Sequence, residues 1–165
     1  MKSIASLGLL VALIAGPAFA QSVNADSQAA PDPVAALQAL NAEVAPKKRE
    51  FVQQQLALTE AEGKAFWPVY DAHQAALTKL NERRLANIEA YADVWNAAAT
   101  DDKAIAAVAT EALDIEKDEA ALMEHTYGKL KGHVPVVKAV RYLQLESKLR
   151  ALIKVELAAR IPYAH

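Results

Sequence analysis

Apolar residues recur along most of this chain at intervals of three and four, which places them on one face of an α-helix. The first such stretch follows Asp32-Pro33, a capping residue and a proline suited to the first helical position. Its apolar positions are Val34, Leu37, Leu40 and Val44. Pro46 is predicted to end this helix, because the residue before a proline is biased out of the helical region. Residues 47–58 then read as one or two less regular helical turns.

The second helix is predicted to run from Thr59 to about Ala98. Its broad apolar face comprises Phe66, Val69, Tyr70, His73, Leu77, Leu80, Ile88, Tyr91 and Trp95. The start, Leu58-Thr59-Glu60-Ala61-Glu62, predicts a capping box in which Thr59 and Glu62 satisfy each other's backbone amides. The matching hydrophobic staple calls for an apolar residue where Gly63 stands, so it is either missing or made by Phe66.

A kink is predicted inside this second helix at Pro68, because proline removes one backbone hydrogen bond there. Trp67 is predicted to point away from the side that carries Phe66 and Tyr70. The segment Phe66-Trp67-Pro68 is therefore a candidate for an apolar contact with another molecule.

Two further helices follow a turn at residues 99–102, where Asp101 or Asp102 can cap. The third is predicted to face inward at Ile105, Val108, Ala112, Ile115, Leu122 and Tyr127 or Leu130. Gly132 suits a left-handed residue past a helix end, and Pro135 suits the opening of the last helix, which runs to about Arg160. Its predicted inward positions are Val137, Val140, Leu145, Leu149, Leu152, Ile153 and Leu157. No alternating strand pattern occurs.

These elements predict an all-α fold: an elongated, kinked, antiparallel hairpin or bundle of about four helices. Residues 60–98 alone make about 58 Å of helix, whereas a compact globule of this size is about 40 Å across. The long helix must therefore bend, overhang its neighbours or pack against a second copy. A homodimer is one arrangement that covers overhanging apolar faces.

The N-terminus is typical of an export signal. Lys2 precedes an apolar run from Ile4 to Ala15, and Ala18-Phe19-Ala20 provides small residues before a cut after Ala20. Residues 21–32 read as a disordered leader and residues 33–162 as a single helical domain. The predicted location is the periplasm, and the processed protein is not expected to span a membrane.

Charge and cysteine content narrow the function further. Loss of Lys2 with the signal takes the formal charge from −2 to −3, so nothing indicates a nucleic-acid partner. The absence of cysteine means that packing, not disulfides, must stabilise the fold. The run Lys47-Lys48-Arg49 reads mainly as a solvated face, with a docking patch as the alternative.

Few residues suggest chemistry. No HExxH motif, nucleophile elbow or glycine-rich phosphate loop occurs, so no catalytic, cofactor-binding or metal-binding residue is predicted. The acidic run from Asp114 to Glu119 reads as a solvated helix face, with a metal site that includes His125 as the alternative. Glu119 lies on the apolar seam of its helix, where Arg84 or Arg141 is the expected partner.

Leu58-Thr59-Glu60-Ala61-Glu62, at the start of a long alanine-rich helix behind an export signal, resembles the LTxxQ motif of the Spy/CpxP-like periplasmic helical proteins. A wider likeness to uncharacterised exported bacterial proteins near that family spans residues 59–162. It is carried by Phe66-Trp67-Pro68-Val69-Tyr70-Asp71, by Arg141-Tyr142-x-Gln144-x-Glu146-x-Lys148 and by Leu157-Ala158-Ala159-x-Ile161-Pro162.

Two departures separate this chain from that family. Glu62 replaces the glutamine of the motif, which the geometry of a capping box allows, because either side chain closes it. A second LTxxQ motif is absent, and Val134-Pro135-Val136-Val137-Lys138 stands where it is expected.

The resemblance implies a cradle-shaped helical dimer that acts as an ATP-independent chaperone, a modulator of envelope-stress signalling or a metal-responsive sensor. Its partners would be other envelope proteins or unfolded polypeptide clients. The leading hypothesis is a binding protein without catalysis; a metal sensor or buffer and a structural oligomer subunit are the alternatives. The Met- and His-rich tracts of metal-responsive members are absent.

Overall fold

The computed structural model describes residues 33–97, 101–159 and 161, and within these ranges the secondary structure is four α-helices without a strand. They are α1 (Pro33–Leu56), α2 (Glu60–Asn96), α3 (Asp102–Leu130) and α4 (Val136–Ala158). The all-α prediction is therefore confirmed. The predicted export signal and leader lie outside the described residues, and nothing in the structure tests a dimer.

Side-chain pairs between helices give the topology. Arg83 contacts Glu111 while His73 contacts Thr126, so positions rise along α2 as they fall along α3 and the two helices are antiparallel. Comparable pairs make α1 antiparallel to both α2 and α4, and α3 antiparallel to α4. Each helix thus packs against the next one, and α4 returns to α1, which is an up-down-up-down arrangement.

The helix starts follow the capping chemistry expected from the sequence. Thr59 Oγ1 accepts from the Glu62 amide at 3.3 Å, and the Thr59 amide donates to Glu62 Oε2 at 2.8 Å, which completes the capping box. Asp101 caps α3 by accepting from the amides of Lys103 and Ala104. These caps satisfy amides that a helix start leaves without backbone partners.

Two predictions about helix ends are wrong. Pro46 does not end the first helix, since α1 is continuous from Pro33 to Leu56. A proline removes only one backbone hydrogen bond, and a helix packed against neighbours can absorb that loss. Gly132 does not have positive φ either; the residue in the left-handed region is Ala57, with φ 46°, directly after α1.

The main core lies between the second half of α1, the first half of α2 and the facing ends of α3 and α4. Its buried members are Val52, Leu56, Phe66, Tyr70, Leu130, Val134, Ala139, Tyr142 and Leu145. A smaller cluster joins Ile88 of α2 to Leu157 of α4. The predicted inward positions agree along most of α2, but Ala112, Val137 and Val140 are exposed. Val137 and Val140 lie outside the stripe that α4 turns toward its neighbours, whereas Ala112 lies on the buried stripe of α3 near the level at which α4 ends.

The α2–α3 hairpin extends past the other two helices. Lys154 of α4 pairs with Glu116, so the end of α4 at Ala158 reaches only about the level of residue 112. The register of α1 on α2, set by Arg49 and Asp71, likewise places the start of α1 near residue 87. Residues 89–96 and 102–111 therefore form an overhang of about two helical turns.

Candidate functional site: a buried polar network

A buried ion pair links the first and last helices. Lys48 and Glu146 are 8% and 5% exposed, and Lys48 Nζ lies 2.8 Å from Glu146 Oε2. The interpretation of Lys47-Lys48-Arg49 as a solvated face is thus wrong at its centre. Lys48 shares a helix face with Val52 and Leu56, both of which belong to the core, so the same turns that bury these side chains bury the lysine.

Gln74 of α2 completes the pair from a third helix. Its side-chain oxygen accepts from Lys48 Nζ at 2.9 Å, and its amide nitrogen donates to Glu146 Oε1 at 3.0 Å. The same nitrogen donates to the Tyr142 hydroxyl at 3.2 Å. One amide therefore bridges a cation, a carboxylate and a phenol, which is the kind of satisfied network that a buried charge requires.

His73 extends the network toward α3. The ring is 3% exposed, its Nδ1 lies 2.8 Å from Thr126 Oγ1, and its Nε2 lies 3.7 Å from Glu146 Oε2. The Thr126 hydroxyl also donates to the backbone oxygen of Leu122 at 2.8 Å. Because that hydroxyl proton is committed to Leu122, Thr126 is left to accept, and His73 Nδ1 is the donor.

The electrostatics of the network fix the charge state of its centre. Burial by itself raises the pKa of the Glu146 carboxyl, but the His73 ring and the Lys48 ammonium outweigh it and lower the pKa to about 2. Burial, with the nearby Glu146 charge, raises the pKa of Tyr70 to about 12 and raises that of Tyr142 further. At neutral pH the network therefore holds an ionised carboxylate and two protonated phenols.

Acid should weaken the fold through Glu146. Its pKa falls from 4.5 to about 2 on folding, so the folded state favours the ionised carboxylate. That contribution is complete above about pH 5, is lost as the pH falls to about 2, and amounts to about 3 kcal/mol. Urea unfolding of wild type and Glu146→Gln between these pH values should show the difference in unfolding free energy shrinking toward low pH.

Glu124→Gln is the matched control for this acid experiment, because it removes an exposed carboxylate and gives the same change in net charge. A constant difference between wild type and Glu146→Gln across the acid range would contradict the assignment of an ionised Glu146.

A second group of charges lies farther along α2. Arg84 Nη2 is 3.0 Å from Glu119 Oε2, and Arg150 Nη1 of α4 is 3.8 Å from the same oxygen. Glu119 is 4% exposed, so the expected burial of this carboxylate and its pairing with Arg84 are both confirmed. Arg141, the other expected partner, instead donates to the backbone oxygen of Gln55 at 3.1 Å.

A small cavity separates the two charged groups. Its volume is about 40 Å³, and Leu77, Leu122 and Leu149 are among the apolar residues of its wall. Lys48 and Glu146 lie at one end of the lining, with Arg84, Glu119 and Arg150 at the other. A space of this volume holds a few water molecules and is well below the size of ordinary small-molecule sites.

The residues around the LTxxQ-like motif pack within the fold. Phe66 is fully buried, and Leu58 and Trp67 pack against the main core. The ring of Trp67 makes edge contacts with Phe66 and Tyr70 at centroid distances of 5.1 and 5.3 Å, so the prediction that it points away from them is wrong. The Arg49 guanidinium lies over the ring, 4.2 Å from its centroid.

Contacts around Pro68 and the capping box link the start of α2 to its neighbours. Pro68 is exposed within α2, whose helix continues through it. The Lys138 ammonium lies 2.7 Å from Glu62 Oε2, so the capping box is tied to α4. Arg49 also forms an ion pair with Asp71. The motif therefore joins three helices at one end of the bundle.

Nothing in the described part of the chain gathers three metal-ligating side chains. His125 is exposed, and within the acidic run Glu116, Asp118 and Glu119 are paired with cations from α2 or α4. Those pairings leave the suggested metal set without convergent free ligands. Among the described helices, none combines the length and apolar content that crossing a membrane requires.

The fold and the network define an all-α protein in which the buried polar side chains of the described residues hydrogen-bond to one another or to the backbone. Comparison with known proteins identified no matching family model, no matching curated protein and no matching solved structure. The likeness to the Spy/CpxP-like family therefore stays a prediction.

Proposed function

We propose that this protein is a non-catalytic periplasmic binding protein, a Spy/CpxP-like ATP-independent chaperone or envelope-stress modulator that holds apolar segments of other polypeptides. The proposal is carried by one observation: α3 presents an exposed, largely uncharged surface that begins on the overhang and continues just past it. This surface, here called the alanine face, consists of Ala106, Ala109, Ala112 and Leu113.

The chemistry of the alanine face suits weak and unselective contacts. Leu113 is 71% exposed, the highest value among the exposed large apolar side chains of the described residues. The alanines recur at helical spacing, so a client segment can lie along them without meeting a long side chain. Charged residues border the face at Asp102, Lys103 and Lys117, which keeps such a surface soluble.

The buried network supports a role without catalysis. A general base works best when its pKa lies near the working pH, whereas the pKa of Glu146 is about 2. No buried side-chain nitrogen or oxygen of the described residues lacks a hydrogen-bond partner. Polar groups that are fully engaged with one another stabilise a fold and leave no donor or acceptor aimed at a substrate.

Aggregation of a denatured client, followed by light scattering, tests the proposal. The processed protein in several-fold excess is expected to suppress the scattering, and Ala109→Glu with Leu113→Glu is expected to lose most of that suppression, because two charges interrupt the alanine face. Ala72→Glu with Ala75→Glu is the matched control, since it places the same charges on exposed alanines of α2.

The outcomes separate the parts of the proposal. Failure of the wild-type protein to suppress aggregation at any excess contradicts the chaperone form. Equal losses in the two double variants contradict the assignment to the alanine face, because the effect then follows net charge alone.

A further inference from the structure

The turn between α3 and α4 is firmly anchored. Leu130 and Val134 on either side of it are 0% and 7% exposed and belong to the main core. The amides of His133 and Val134 donate to the backbone oxygen of Leu130 at 2.9 and 3.1 Å. The turn therefore holds the first residues of α4 in a defined orientation at one end of the bundle.

That anchored turn presents an apolar cluster to the outside. Val136, Val137 and Val140 are 55%, 62% and 37% exposed, and they are three of the five exposed large hydrophobic residues of the described structure. With exposed Pro135 they form what is here called the valine tip. The position of these valines contrasts with Val134, which the same short segment buries.

Basic residues surround the valine tip. The chain has no aspartate or glutamate between Glu124 and Glu146, and that interval contains Lys129, Lys131, Lys138 and Arg141. Apart from these four, the chain carries 14 basic against 20 acidic residues, since the whole has 18 and 20. Positive charge is thus concentrated at one end of an otherwise acidic protein.

Neighbouring elements offset only part of this charge. The α1–α2 turn brings up Glu62, which pairs with Lys138 at 2.7 Å and offsets one of the four positive charges, whereas Glu60 pairs with Lys64 at 2.8 Å. Lys129 and Lys131 are exposed and make no ion pair with a described residue. Both lysines are therefore available to an outside anion.

We infer that the valine tip docks on an anionic phospholipid surface. Such a surface offers negative headgroups above an apolar layer, and it matches a cluster of valines ringed by lysines in both respects. A second copy of the tip fits poorly, because two like-charged ends would face each other. The docking is peripheral, and it is distinct from the alanine face on α3.

Vesicle flotation tests this assignment. The chain is expressed with its own N-terminus, and binding is measured on vesicles of phosphatidylglycerol with phosphatidylcholine in equal parts and on phosphatidylcholine alone. Wild type is expected to bind the anionic vesicles more tightly, and less so as salt is raised. Lys129→Gln with Lys131→Gln, and separately Val136→Ser with Val137→Ser, should each weaken that binding about tenfold or more.

Matched variants keep the test specific. Lys103→Gln with Lys117→Gln removes two exposed lysines of the same helix, α3, and Val155→Ser removes a valine of α4 that is 60% exposed. Both should bind as wild type does. Since every variant has the same N-terminus, differences between tip and control variants report the tip alone.

Four results overturn the inference: no binding to anionic vesicles, equal binding to both vesicle types, equal losses in tip and control variants, or wild-type binding by the tip variants. Two further results would assign the tip to a protein partner instead. One is a wild-type dimer in sedimentation that Val136→Ser with Val137→Ser dissociates. The other is loss of aggregation suppression in that double variant when the wild type does not bind vesicles. If the tip variants still suppress client aggregation, the proposed function is retained, whether or not the protein binds vesicles.

Discussion

Lys48→Met should lower the free energy of unfolding by about 3–5 kcal/mol, the range for removal of one partner from a buried ion pair. The substitution keeps most of the volume of the side chain but leaves Glu146, 5% exposed, without its ammonium partner at 2.8 Å. Gln74 and His73 remain beside the carboxylate but supply no fixed positive charge equal to that of a lysine. Urea unfolding followed by circular dichroism at neutral pH measures the change.

Lys47→Met is the matched control for this ion-pair experiment. Lys47 adjoins Lys48 in sequence, but its side chain is 53% exposed and its partner Glu43 lies 3.7 Å away on the same helix. Exposed pairs of this kind contribute about 0–1 kcal/mol. If the two substitutions cost the same, Lys48 is not buried against Glu146 as described.

The double variant Lys48→Met with Glu146→Leu separates the pair from the packing around it. Removing both charges together should cost much less than the sum of the two single changes, because no unpaired ion is left in the core. Strict additivity of the single effects would contradict a direct interaction between the two side chains.

Phe66→Ala is expected to have an effect of similar size, about 3–5 kcal/mol, because truncating a buried aromatic residue loses apolar burial and leaves a cavity. Phe66 is fully buried, and its ring makes an edge contact with Tyr142 at a centroid distance of 5.1 Å. Tyr142 in turn is held by Gln74, so the loss of the ring also loosens the polar network. Urea unfolding measures this change as well.

Two further variants serve as controls for the Phe66 experiment. Val155→Ala, at a residue 60% exposed on α4, should change stability by no more than about 0.5 kcal/mol. Phe66→Leu retains most of the apolar volume and should cost clearly less than Phe66→Ala. If Phe66→Ala left stability intact and altered only client binding, Phe66 would be a partner contact, as its place beside Trp67 and Pro68 first indicated.

The buried carboxylates show how far local sequence patterns reach. Glu119 interrupts an apolar seam that includes Ile115 and Leu122, which predicts its burial. The sequence left Arg84 and Arg141 open as its partner, and the structure has Arg84 in that place. Glu146 occupies an equivalent position, one turn from Tyr142 and Leu149, and carries the same signal. Lys48 shows the same pattern, since it shares a helix face with the apolar residues Val52 and Leu56. Its place between two basic residues nevertheless favours a solvated face.

Apolar spacing alone gave the wrong face for two valines at the start of α4. Apolar spacing groups Val137 and Val140 with Leu145 as inward residues, but the buried stripe of α4 passes through Ala139, Tyr142 and Leu145. The valines lie on the opposite side of that turn. Their exposure contributes to the valine tip, although apolar spacing predicts that both residues face inward.

Within the ranges that the structure describes, the sequence by itself determined the local features: four helices without a strand, the capping box at Thr59 and the cap at Asp101. These depend on neighbours three or four residues away, so a linear pattern contains them. Only the tertiary structure decided that Lys48 meets a glutamine 26 residues away and a glutamate 98 residues away. The pairing depends on how three helices align, and no local spacing encodes that alignment.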